Sequence, residues 1–194
     1  MATFSQTNVK CKDIVTFLTE LKKYLSIGIE LWFDSEKKWF YGAKHEENDS
    51  VEKNITIILA KNESEDWIEV EFDFKGNIYF YDEILRRISK TLDTEILLSY
   101  RQSTSGDGRL AKFKNGNLEL SFFEISFEDK IYVADNFGVI NSNIEALKNI
   151  KLGKESHIIN YELIYKFFRS EGWKQDLVKK DIDYMYLHVE QKIE

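Results

Sequence analysis

Apolar residues recur at two distinct periods along the chain, and the switches between them mark the elements. Ile14, Phe17, Leu18, Leu21 and Leu25 fall at helical spacing, which predicts an amphipathic helix over 12–25. The period drops to two in IGIELWF (27–33), where Ile27, Ile29, Leu31 and Phe33 share a face, and a hairpin over SEKK returns the chain through WFYGAK. ITIILA (55–60) and WIEVEFDF (67–74) continue the alternation. Ile84, Leu85, Ile88 and Leu92 predict a second helix over 81–93, followed by strands in EILLSYR, RLAKFK, LELSFFEISF and KIYVAD. In LELSFFEISF the apolar parity slips between Phe122 and Phe123, where a β-bulge would keep both halves facing the core.

Each half thus reads as one helix followed by four strands, with DIVTFLTELKKYLSIGIELWF in register with DEILRRISKTLDTEILLSY. This suggests an internal duplication of 12–75 and 81–136, giving two similar antiparallel sheets or one sheet with both helices on the same face. The segment 141–181 reads as helical. Ser142 and Glu145 form a capping box around Ile144 and Leu147, and Asn160 precedes a stripe of Leu163, Ile164, Phe167 and Phe168 that ends near Gly172. Tyr184, Tyr186 and His188 alternate with Met185, Leu187 and Val189, a last strand added to the sheet. The expected fold is α+β over 1–194: mainly antiparallel sheet, helices packed on one face, and a helical C-terminal segment.

Composition narrows the class. The chain is 43% hydrophobic and 31% charged, which is globular, and it has no proline to build a rigid linker between domains. A lone Cys11 excludes an intramolecular disulfide and a cysteine-rich metal site, and fits a reducing compartment. No stretch has the apolar length of a membrane span or a signal peptide, so the expected location is cytoplasmic, and the sequons at Asn48, Asn54 and Asn62 read as chance.

SGDGRLA (105–111) follows an apolar run and fits the dinucleotide fingerprint G-x-G-x-x-G/A. That loop works only where a helix follows, so that its free N–H groups face a pyrophosphate. Here KFKNGNLELSFF follows, carrying the hairpin signal Asn115-Gly116 and then alternation. We therefore read Asp107-Gly108 and Asn115-Gly116 as successive turns of a meander, with no cofactor. Arg101, Arg109, Lys112 and Lys114 gather around these turns as a candidate anion-binding spot.

No catalytic or metal-ligating set emerges. His45-Glu-Glu lacks the second histidine of a zinc-protease helix, no Gly-x-Ser-x-Gly elbow or Walker sequence exists, and the carboxylates lack EF-hand spacing for Ca²⁺. A net charge of −7 disfavours direct nucleic-acid binding. That charge is uneven: Glu46 to Asp73 holds ten acids against Lys53 and Lys61, a local charge of −8 that leaves +1 for the rest. Within WIEVEFDF, alternation sends Ile68, Val70, Phe72 and Phe74 to the core and Trp67, Glu69, Glu71 and Asp73 outward. The face is either simply solvated or a docking site for a basic protein, built from Glu63, Glu65, Asp66, Glu69, Glu71 and Asp73 with Trp67 as aromatic anchor.

In character the chain resembles the bacterial immunity proteins of polymorphic and contact-dependent toxin systems: small, acidic, α+β, rich in aromatics and without catalytic signatures. The resemblance implies a non-enzymatic inhibitor that blocks a cognate toxin domain, often a basic nuclease. The alternative is a small-molecule-binding or hydrolytic α+β domain using the aromatic residues and the Arg101/Arg109 spot.

Overall fold

The computed structural model describes residues 3–21, 23–24, 54–62, 66–72, 78–128, 130–141, 144–148, 157–173 and 182–190, with 54–62 and 182–190 described as backbone. Among the described residues eight strands form one sheet: β1 (Thr3–Val9), β2 (Asn54–Asn62), β3 (Ile68–Phe72), β4 (Glu95–Gln102), β5 (Gly108–Lys114), β6 (Asn117–Phe127), β7 (Lys130–Phe137) and β8 (Ile182–Glu190). Their order is β7-β6-β5-β4-β1-β3-β2-β8. Every pairing is antiparallel, as hairpin-length connections from β4 to β7 require. The expected α+β class with an antiparallel sheet is what the chain adopts.

Helices cover both faces of this sheet and not one as expected, because its strands carry apolar residues on both sides. α1 (Ile14–Leu21) and α2 (Asp82–Thr91) lie on the same face, as the paired helices were expected to do. Asp13 caps α1 by accepting from the Val15 and Thr16 N–H groups at 3.1 Å each. Phe17, Leu18, Leu21, Leu85 and Ile88 pack there with Ile68, Val70, Ile96, Leu98 and Phe113. The opposite face receives the C-terminal segment: a 3₁₀ turn (Val139–Asn141), the short α3 (Glu145–Lys148) and α4 (Tyr161–Ser170). Leu163, Ile164, Phe167, Phe168 and Trp173 form a second core there with Leu97, Leu110, Leu120 and Phe122. Asn160 caps α4 as read from sequence, accepting from Leu163 N–H at 2.9 Å.

Two covered faces resolve the parity slip in β6. Phe122 is buried against the C-terminal layer while Phe123 points to the other side, edge-to-face with Tyr79, so the strand needs no bulge between them. The register instead shifts at Glu119, the extra residue opposite Lys112/Phe113, and at Ala134 in β7 opposite Phe123/Glu124. Asn115-Gly116 is a hairpin turn with both φ positive (49° and 82°), as expected of type I′. The other turn is not at Asp107-Gly108. It spans Ser103 to Asp107, with Gly106 at φ 79° and Gly108 inside β5.

The first-half strands expected over 27–33 and 39–44 lie outside the described residues, so the duplication is not established. β1 is an element that the hydrophobic pattern did not reveal. It sits mid-sheet between β4 and β3, yet its inner residues are polar: Ser5, Gln6, Thr7 and Asn8 are all buried. Ser99 Oγ donates to the Gln6 carbonyl across the β1–β4 seam at 3.2 Å.

Gly138 seats the bulge. Its φ is 69°, and a Cβ there would stand 1.9 Å from the Glu119 carbonyl oxygen. Gly172 has a similar φ of 89° but open space around it. Gly138→Ala is expected to lower unfolding free energy by about 3 kcal/mol, against about 1 kcal/mol for Gly172→Ala. Urea unfolding of both variants measures the difference; equal losses would mean that the close approach contributes nothing.

Candidate functional site

The strands place Arg101 (β4), Gly108 (β5) and Glu124 (β6) side by side in one row across the sheet. Residues 157–161, leading into α4, cross this row like a strap. Glu124 is fully buried beneath it and accepts from the Ile158 and Ile159 N–H groups at 2.9 and 2.7 Å, with His157 Nδ1 3.5 Å away. Ile159 fills the space over Gly108, where a Cβ would come within 2.9 Å of it. Tyr161 covers Arg101, whose guanidinium carbon lies 5.2 Å from the ring centre. Gly106 completes the seat: a Cβ there would overlap the His157 ring, 2.1 Å from Nε2.

The glycines of SGDGRLA therefore serve close approach, but of the protein's own chain. The N–H groups ahead of α4 are occupied by the Glu124 carboxylate. Burial pushes this carboxyl above its ordinary range, and the two backbone donors together with His157 offset part of that rise. A carboxylate behind an imidazole is also how general bases are oriented. Here Glu124 spends its oxygens on the strap backbone, which makes the pair a clasp.

Arg109 points to the opposite face. It is fully buried and forms a bidentate pair with Asp82 at the start of α2, Nη1 to Oδ1 at 2.7 Å and Nη2 to Oδ2 at 2.6 Å. Nη1 also donates to the Ile78 carbonyl at 2.9 Å, and Tyr79 stacks on the guanidinium at 4.2 Å. The pair pins α2 to β5.

Lys112 and Lys114 belong to a third group. Lys112 Nζ meets Glu171 at 2.7 Å and Glu119 at 3.3 Å, and Lys114 meets Glu95 at 2.7 Å, where Lys10 also approaches at 3.4 Å. Burial would raise the Glu95 carboxyl, but Lys114, Lys112 and Lys10 outweigh it and hold the group below its usual range. Arg101, Arg109, Lys112 and Lys114 are thus divided between two faces and engaged within the fold, not gathered into one anion spot.

Of the acidic docking residues, Glu63, Glu65 and Asp73 and the side chain of Glu71 lie outside the described residues. Asp66 is exposed and meets Lys12 at 3.6 Å, and Glu69 is half-buried. Trp67 departs from the expectation. It is 6% exposed, packed into the second core with Lys10 5.7 Å from its ring, because the face assigned to solvent is covered by the C-terminal layer. It cannot be the exposed anchor of a docking face.

Glu124, His157 and Asp82 were not singled out in the sequence. The available signal was a carboxylate at an inward position, since Phe122 and Glu124 share a strand parity. Among the described residues, no cluster of His, Cys, Asp or Glu is placed to hold a metal ion, and no helix is long and apolar enough to cross a membrane. No protein family, curated protein or solved structure matches this chain.

Two outcomes follow from the ion pairs. Asp82→Ala strands the buried Arg109 charge and is expected to cost about 3–5 kcal/mol, with Arg109→Met costing less, measured by urea unfolding. For Glu124 the native state holds a proton at pH values where the unfolded chain has released it. Its contribution to stability therefore falls as pH rises from the ordinary carboxylate range through the raised value. Denaturation at a series of pH values should show that slope in the wild type and its loss in Glu124→Gln; identical slopes would contradict the assignment.

Proposed function

We propose that this chain is a protein-binding inhibitory module that neutralises a basic partner, in the manner of the bacterial immunity proteins it resembles. The observation that carries this reading is charge segregation. Glu46 to Asp73 holds a net −8, while Lys10, Lys112 and Lys114 are engaged by Glu95, Glu119 and Glu171 within the fold. Cations spent in this way leave the acidic segment's field largely uncompensated, and such a field accelerates encounter with a basic surface. Because Trp67 is buried, recognition in this reading rests on the carboxylates that stay accessible, with exposed Asp66 and half-buried Glu69 its described members.

A toxin domain or nuclease with a basic active-site cleft is the partner chemistry that fits. The product of the adjacent reading frame is the first partner to measure. Replacing Glu69, Glu71 and Asp73 together by Lys should slow association roughly tenfold or more at low salt, with the gap narrowing near 0.5 M salt. Reversal of Glu145 on α3 serves as the control and should leave the rate close to wild type. Salt-insensitive binding that survives the triple reversal would sink the proposal.

A further inference from the structure

Among the described residues the sheet ends at β7, which has β6 as its one strand neighbour. An edge strand presents a row of unpaired N–H and C=O groups, usually shielded by proline, charge or a covering element. β7 has no proline, and large apolar groups stay exposed on and beside it: Tyr132 at 39%, Phe137 at 55%, Phe127 at 60% and Ile140 at 80%. Such a concentration of exposed aromatics on one edge marks an interaction surface.

The charges on the strand select the occupant. Tyr132 pairs with Ile125 and Asp135 with Phe123 on β6, and the extra residue Ala134 shifts the parity between them, so Lys130, Tyr132 and Asp135 share one face of β7. In an antiparallel pair of two identical strands, residue i meets j and j meets i. Centring that two-fold on Tyr132 sets Tyr132 against its own copy and Ile131 against Val133. It also places Lys130 opposite the Ala134–Asp135 step, so that two Lys130–Asp135 pairs flank the tyrosines. Centring it on Val133 sets Lys130 against Phe137 and Tyr132 against Asp135, and centring it on Ile131 sets Lys130 against Tyr132; both lose the charge pairs.

We infer that β7 is a self-association edge: two copies of this chain join through antiparallel β7–β7 pairing centred on Tyr132, making one continuous sheet across the dimer. The join is narrow and leaves β2 and β3, several strands away in the same sheet, uncovered. An interface of this kind lies at the small end of the specific range, so a reversible dimer is expected at micromolar concentrations or above.

Sedimentation equilibrium of the full chain tests this. The wild type should dimerise reversibly as concentration rises to about 0.5 mM. Lys130→Asp and Asp135→Lys should each weaken the dimer roughly tenfold or more, since each replaces two opposite-charge pairs by like-charge pairs. The double variant Lys130→Asp/Asp135→Lys should restore wild-type association. Far-UV circular dichroism confirms that each substitution leaves the fold intact. A monomeric wild type over the whole range, a dimer indifferent to the single reversals, or a double variant that fails to recover would each overturn the inference.

Discussion

A carboxylate with no access to solvent is costly unless donors meet its oxygens, and the fold of this protein is arranged so that Glu124 is met by the backbone of its own C-terminal segment. The interaction works in both directions. Ile158 and Ile159 precede the helix cap, so their N–H groups have no intrahelical partner, and Glu124 satisfies them. In return the strap is fixed over Gly106 and Gly108, which allow the backbone to lie close. Everything beyond it in the second core, from Leu163 to Trp173, is positioned by that crossing.

The same economy governs the cations. Arg109 fastens α2 to one side of β5 through Asp82, and Lys112, three residues further along and on the other face, fastens Glu171 beyond α4. One strand therefore holds both helical layers by charge, one layer on each side. Cations used in this way are held by carboxylates within the fold, while Lys12 reaches Asp66 ahead of β3.

Much of the architecture was legible from the apolar period, with a cap to support it at α4: α1, α2, α4, the β4–β7 meander and β8 stand where the apolar spacing put them. What escaped had a physical reason. Alternation in WIEVEFDF separates two faces but cannot tell which is wet, and Trp67 is buried because the C-terminal helices cover the face that its neighbours' charges had marked as outer. Phe122 and Phe123 looked like a register slip only on the assumption of one covered face. β1 was silent because Thr3–Val9 is a central strand made of Ser, Gln, Thr and Asn, residues whose burial depends on the strands at either side. Glu124 and His157 stand far apart in sequence, so their meeting is a tertiary event that no local pattern encodes.

The position of β1 has a consequence for how the chain reaches this structure. Thr7 pairs with Leu98 on one side and Val70 on the other, whereas β4 to β7 are joined by short turns. Closing a long loop is entropically expensive before its contacts exist, so the local meander can assemble early while the seam at the middle of the sheet waits for distant partners. β1 thus becomes the keystone placed late, and until it arrives the flanking edges of β3 and β4 stand open. Insertion of this polar strand is accordingly the step expected to limit folding of the sheet.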